Sequence, residues 1–281
     1  MKKKILALAA ATLATTCAVS LTACDDGNTI YVDTNAFFAP FEYFADANTI
    51  AGVDVDIMNM VGKKLGKKVI FANTDFELII DNIASGKKYD CGAAGITITD
   101  ERKEKVDFSN PYFTSVQYAI FPASETVTSY MDGDIEYVLW SELAGMKIGY
   151  QRDTTGDIYV NLEIEGEDGY TGQLQGLGAT GTGYDSAQLA VDAIGANQMD
   201  VTVVDKLPAQ YIVSHNSDYK CYALYYPASA DEEATADFPT EEQYAICVTK
   251  GNKELLDAIN AVLEELGENG VNALVSQHLG L

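Results

Sequence analysis

Arg102 and Arg152 are the only arginines among 281 residues, and each follows a run that reads as the end of a strand. Arg102 lies in Ala94-Gly95-Ile96-Thr97-Ile98-Thr99-Asp100-Glu101-Arg102-Lys103. Gly95 has no side chain and lets a ligand approach the backbone, and Thr97 offers a hydroxyl that both donates and accepts. Thr99 fits the N-cap of a short helix, which puts Arg102 in its first turn. A guanidinium there can grip a carboxylate with two parallel hydrogen bonds, a contact worth about 1.5–3 kcal/mol net; surface pairing with Asp107 or Glu101 is the alternative. Arg152 lies in Gln151-Arg152-Asp153-Thr154-Thr155-Gly156-Asp157. This segment turns from a strand into a helix start, where free N–H groups and the positive end of the helix dipole favour a carboxylate. Thr154 and Thr155 are expected at that end, with Arg152 either facing the ligand or salt-bridged on the surface.

Other chemistries lack their residues. Two histidines, His215 and His278, and no Cys-x-x-Cys leave no ligand set for zinc or an iron–sulfur cluster, and no cofactor is expected. Gly176-Leu177-Gly178-Ala179-Thr180-Gly181 fits G-x-G-x-x-G, but it does not follow a buried strand or run straight into a helix, as a nucleotide fingerprint does. The balance of 18 Lys+Arg against 42 Asp+Glu gives a net charge of −24, which repels nucleic acid and anionic headgroups. Cys91, Cys221 and Cys247 read as small buried hydrophobes, with one disulfide among them as the alternative.

The elements that must carry these loops follow from hydrophobic period. Thr29–Asp33, Lys68–Ala72 and Tyr89–Ala93 read as strands, alternating with amphipathic helices over Val53–Leu65 and Phe76–Ser85. Ile57, Met58, Val61 and Leu65 share one helical face, and Gly66 and Gly86 stand where helices commonly end. A second cycle comprises strands Ser115–Phe121, Lys147–Gln151 and Asp200–Val204 and helices Ser186–Ala196 and Lys206–Ser214. An irregular acidic segment is expected up to Trp140, and a surface excursion or irregular hairpin over the Gly-rich Glu163 to Gly183. The chain finishes with a strand Gln243–Val248 and two helices, Lys253–Leu266 and Gly270–Leu279. The fold class is α/β, and in open α/β sheets ligands sit beyond the carboxyl ends of the strands, where each loop above falls.

The N-terminus has a charged start, Lys2 to Lys4, and a mostly apolar run from Ile5 to Leu21, the pattern of an export signal. Leu21-Thr22-Ala23-Cys24 resembles a bacterial lipobox, with Cys24 as the lipidated residue. The expected division is a signal over 1–23, a lipidated linker over 24–28, one lobe from 29–113 and 243–281, and a second lobe over 114–242.

Pro40-Phe41-Glu42-Tyr43, Gly52-Val53-Asp54-Val55-Asp56, the Ala94–Lys103 segment, Val106-Asp107-Phe108-Ser109-Asn110-Pro111-Tyr112, Gln151 to Asp157, Val203-Val204-Asp205 and Lys250-Gly251-Asn252-Lys253-Glu254 recur in this order. Together they resemble the bacterial polar-amino-acid-binding proteins, family 3 extracellular solute-binding proteins with the two-lobed type II periplasmic-binding-protein fold. The resemblance implies a non-enzymatic receptor of an ABC importer, a monomer held outside the cell by lipid on Cys24. It would close around a free amino acid at two crossovers near Tyr112–Val116 and Phe238–Tyr244, then dock on a permease with its ATPase. It also implies roles: Gly95 and Thr97 near the ligand's α-groups, Arg102 on its carboxylate, Asp205 on its ammonium, Phe38 and Phe76 as aromatic walls, and Gln151 as a contact. For Asp205, capping of the following helix is the alternative. Asn35 stands where an Asp commonly binds a polar ligand side chain, which points to a polar, uncharged amino acid. A cyclohexadienyl dehydratase-like enzyme on the same fold, and a sensing module for a separate partner, are the other functions considered.

Overall fold

A computed structural model describes residues 27–231 and 234–280. Cys24 and the expected signal over 1–23 lie outside the described residues.

Five strands form the first sheet, in the order Lys68–Asn73, Thr29–Thr34, Cys91–Gly92, Cys247–Thr249, Val106–Phe108. The first three run parallel, and Cys247–Thr249 enters antiparallel between its neighbours. The sheet is buried on both faces because its side chains alternate. Ile30, Val32 and Val248 face the helix Val53–Leu65 and the C-terminal helix, whereas Tyr31 and Cys247 face Ile79 and Ile83 of the helix Phe76–Ser85. Both early helices end where glycine takes the left-handed conformation, at Gly66 and Gly86.

The second sheet is built on the ten-residue strand Phe113–Pro122. This strand pairs antiparallel with Val201–Asp205 on one side and Tyr219–Tyr226 on the other. Lys147–Gln151 lies parallel to Val201–Asp205, and Thr180–Tyr184 completes that edge. Near its start, Phe113–Pro122 pairs with Glu241–Tyr244, so the outgoing and returning crossings between the sheets lie side by side. A small third sheet joins Phe37–Phe38, Glu42–Asp46 and Thr49–Ala51.

Several elements depart from the sequence expectation. The expected strand Gln243–Val248 is two strands, Glu241–Tyr244 and Cys247–Thr249, because the chain changes sheets between them. The two expected final helices are both present: Lys253–Leu279 is two helices that meet at a kink, where Gly267 has a non-helical backbone (φ 56°, ψ −179°). The segment before Trp140 is no irregular loop: Tyr130–Asp132 and Ile135–Leu139 make a hairpin turned at Gly133. The end of the Gly-rich stretch is likewise an edge strand. A Cβ on Gly183 would come within 2.8 Å of Arg152 Cγ and one on Gly181 within 2.9 Å of the Tyr150 ring, so glycine there lets neighbouring side chains cross the strand. Cys91, Cys221 and Cys247 are all unpaired thiols. Among the described residues no helix is long and apolar enough to cross a membrane.

Candidate functional site

The carboxyl ends of strands from both sheets converge on one narrow cavity. Its walls hold all ten sequence-nominated residues, Asn35, Phe38, Phe76, Gly95, Thr97, Arg102, Gln151, Thr154, Thr155 and Asp205, together with Ala94.

The first sheet supplies Asn35 just after Thr29–Thr34. Asn35 Nδ2 donates to Thr74 O (2.8 Å), which orients the amide, and its Oδ1 accepts from Gln151 Nε2 of the other sheet (3.0 Å). Gln151 Oε1 is buried without a hydrogen-bond partner. Phe38 lies against Gly95, whose φ of 54° and closeness to the ring, 2.8 Å from where a Cβ would stand, leave room for glycine alone. The Gly95 N–H donates to Asp54 Oδ2 (2.9 Å), and Tyr112 OH donates to Asp54 Oδ1 (2.5 Å). That backbone N–H is therefore held by the chain itself, and Asp54 fixes the turn that the sequence assigned to Gly95 alone.

Thr99 caps Asp100–Lys105 as expected, with its Oγ1 accepting from Arg102 N (3.1 Å). The Arg102 side chain turns inward and is 8% exposed. Its Nη1 donates to Thr97 O (2.9 Å) and its Nη2 to Asp153 O, across the gap between the sheets. The guanidinium sits 5.5 Å from the centre of the Phe76 ring, a cation–π contact. Surface pairing with Asp107 or Glu101 does not occur: Asp107 accepts from the Gly251 N–H, and Glu101 faces Lys105. Burial lowers the Arg102 pKa, yet a guanidinium remains charged.

The second sheet supplies the opposite wall. Thr154 caps the helix Thr155–Glu165, accepting from Asp157 N (3.5 Å) while its hydroxyl donates to Gln151 O (2.8 Å). Thr155 lies 3.3 Å from Thr97, hydroxyl to hydroxyl, across the gap. Arg152 is absent from the cavity wall and pairs with Asp185 on the surface. Asp205 stands at the start of Lys206–His215 but makes no side-chain cap. Its Oδ1 instead accepts from Tyr244 OH (2.5 Å) and Gln117 Nε2 (3.2 Å).

Sequence reasoning missed the layer behind these groups. Glu242, Gln117 and Tyr244 lie on the two crossing strands, and Glu242 accepts from Gln117 Nε2 (2.6 Å) and from Thr97 Oγ1 (2.9 Å). Glu42 is fully buried with neither oxygen hydrogen-bonded. Burial pushes its carboxyl well above the ordinary range, helped by the nearby Asp54 and Asp205. Asp54 is raised to about 6 by burial, against the lowering effect of its bonds from Tyr112 and Gly95. The polar residue Glu242 in a crossing strand and the aromatic Tyr244 two positions on were the available signals. Alternation alone does not say which face of such a strand meets a cavity.

This lining suits a small zwitterion: one cavity wall holds a buried cation, Arg102, a carboxyl group, Asp205, and aromatic and neutral amide groups. The comparisons agree with the architecture. The chain is 28% identical over 248 residues to a probable histidine-binding protein of Neisseria gonorrhoeae, covering 88% of this chain and 81% of that one. It is 26% identical over 280 residues to the arginine-binding extracellular protein ArtP of Bacillus subtilis, covering 96% and 94%. An ancestral arginine-binding protein solved with arginine superposes with a TM-score of 0.71 at 29% identity, over 89% of this chain and 97% of that one. Residues 30–280 match the bacterial extracellular solute-binding proteins, family 3, across nearly all of the described fold. The chain belongs to that family, and its fold is the type II periplasmic-binding-protein fold.

Proposed function

We propose that this protein is the substrate-binding subunit of an ABC importer and captures a free, polar, uncharged amino acid between two lobes. The single observation that carries this is the cavity between the sheets, with Arg102 and Asp205 both in its wall. A ligand α-carboxylate on Arg102 and an α-ammonium on Asp205 would each form a charge-assisted pair shielded from bulk water. Residues 29–113 with 243–281 make one lobe and 114–242 the other, hinged at the paired crossings. The two lobes already touch through Gln151 and Asn35, Arg102 and Asp153, and Thr97 and Thr155. Lipid on Cys24 would hold the protein at the outer face of the membrane, where it would hand its ligand to a permease driven by an ATPase.

The choice of an uncharged side chain rests on the wall away from the α-groups. Asn35, Gln151 and the two phenylalanine rings carry no charge, and Gln151 Oε1 awaits a donor such as a ligand amide. Relatives named for arginine favour a cationic ligand as the second reading, and the same ancestral protein has been solved with glutamine as well as arginine. Arginine would need to place its guanidinium among neutral acceptors alone.

A thermal-shift screen of the chain from Asp25 onward, against the twenty amino acids, cystine and prephenate, tests this. A ligand that binds only the native state raises the melting temperature. Largest shifts with glutamine, asparagine or another neutral polar amino acid support the proposal. Largest shifts with arginine or lysine overturn the uncharged specificity, and silence for every amino acid overturns the receptor function.

A further inference from the structure

Asp205 has a close companion that does not line the cavity. Glu242 is 5% exposed, and its Oε1 accepts from the same Gln117 nitrogen that donates to Asp205 Oδ1, at 2.6 and 3.2 Å. The accepting oxygens of the two carboxyl groups thus face one and the same amide nitrogen. Each donor that the pair receives is neutral: the Gln117 amide to both, the Tyr244 hydroxyl to Asp205, and the Thr97 hydroxyl to Glu242.

The charged groups around the pair do not neutralise it. Arg102, from the helix Asp100–Lys105, is the cation that acts on Glu242 and Asp205, but its guanidinium donates to the carbonyls of Thr97 and Asp153. Tyr159, on Thr155–Glu165, and Tyr244, on the crossing strand, are themselves weak acids raised by burial. Glu42 adds another buried carboxyl that interacts with Asp205. Two adjacent carboxylates without a paired cation cannot both ionise at low cost, so one keeps a proton. Asp205 lines the cavity, where a ligand ammonium would meet it, whereas Glu242 does not. Glu242, one layer behind, is left as the acid.

We propose that Glu242 is a positioning residue of the binding site: it stays protonated at neutral pH and donates that proton to Asp205, holding the Asp205 carboxylate toward the cavity. Burial and the neighbouring Asp205 charge both push the Glu242 carboxyl well above its ordinary range. Its second contact is with Thr97 of the opposite sheet, so the same carboxyl ties the ammonium-binding end of the cavity to the first lobe. When Glu242 ionises, its charge repels Asp205, and the carboxylate meant for the ligand loses its orientation. This inference rests on the cavity being an amino-acid site.

Two measurements test it. In the chain from Asp25 onward, labelled with carboxyl-labelled glutamate, carbon NMR resolves the glutamate carboxyls, and Glu242→Gln removes and so assigns one of them. The Glu242 signal is expected to keep its protonated position up to about pH 7, where an ordinary glutamate has long since ionised. Titration in the ordinary range near about pH 4.3 would overturn the proposal.

The second measurement is affinity for the amino acid with the largest thermal shift, from about pH 6 to about pH 8.5, in wild type, Glu242→Gln and Glu242→Ala. The ratio of wild-type to Glu242→Gln affinity cancels the ligand's own titration. Glu242→Gln is expected within about threefold of wild type at the acid end and Glu242→Ala weaker by more than about tenfold, and the ratio is expected to fall wherever the carbon signal shows Glu242 ionising. A ratio that stays flat while the carbon signal shows Glu242 ionising, or a glutamine variant as weak as the alanine variant, would overturn the positioning role. If no amino acid binds, the proposed function has failed, and the carbon titration still decides whether Glu242 holds the proton.

Discussion

The Gln151 side chain donates through Nε2 to Asn35 Oδ1 at 3.0 Å, joining residues from the ends of strands in different sheets. Asn35 is also held by Thr74 O, so its amide is oriented from both sides. Asn35→Asp keeps an acceptor for Gln151 and adds a negative charge to a wall that otherwise presents neutral groups there. The variant is expected to shift preference toward lysine and arginine, raising their thermal shifts relative to glutamine. An unchanged ranking of the twenty amino acids would show that Asn35 does not face the ligand side chain.

Arg102 makes two bonds in fixed directions, to Thr97 O and Asp153 O, and lies beneath the Phe76 ring. Lysine has a single ammonium and no planar fork, so Arg102→Lys and Arg102→Ala are both expected to lose more than about tenfold in affinity. Circular dichroism and the melting curve check that the fold persists. Near-native binding by a folded variant would remove Arg102 from the anchoring role.

Arg152 provides the contrast. Its partner Asp185 is largely exposed, and exposed pairs contribute little. Arg152→Ala is expected to change affinity by less than about threefold and stability by less than about 1 kcal/mol. Isothermal titration and chemical denaturation measure the two quantities separately.

Gly95 combines φ 54° with a ring atom of Phe38 2.8 Å from the position of a Cβ. Gly95→Ala must strain the backbone and displace an aromatic side chain that is itself packed near Phe41 and Tyr244. A loss of about 1–3 kcal/mol is expected, read from denaturant midpoints. The substitution should also weaken binding, because Asp54 holds the Gly95 N–H in the cavity wall.

Buried carboxyl groups predict an unusual pH profile. Asp54 rises from an ordinary 3.8 to about 6 in the folded protein, and Glu42 and Glu242 also rise. A raised carboxyl pKa means that the folded state holds protons the unfolded chain has released. This contribution is present below the ordinary value and is lost as pH climbs through the folded one. For Asp54 it amounts to roughly 3 kcal/mol over the whole interval. Melting temperature is therefore expected to fall between about pH 5 and about pH 7 even in high salt, which screens repulsion among surface carboxylates. Glu42→Gln should flatten the slope, and an unchanged slope would remove Glu42 from the set of buried acids.

The sequence by itself determined the α/β class, the helices Val53–Leu65 and Phe76–Ser85, and the loops that carry Asn35, Gly95, Arg102, Thr154 and Asp205. These features depend on local period, on caps such as Thr99 and Gly66, and on motifs whose residues are close in the chain. The small sheet around Phe37–Asp46, the hairpin before Trp140 and the edge strand Thr180–Tyr184 were not legible, because pairing with a distant or turn-linked neighbour makes them strands. Only the tertiary structure decided that Arg102 turns inward to two carbonyls while Arg152 stays on the surface. Both follow similar strand ends, and the difference comes from Asp153 O reaching across the gap in one case and Asp185 standing beside the edge strand in the other. Tertiary structure likewise placed Glu242 behind Asp205. Residues 37 positions apart meet because the chain crosses between the sheets twice and lays the two crossings side by side, a long-range pairing that no local pattern encodes.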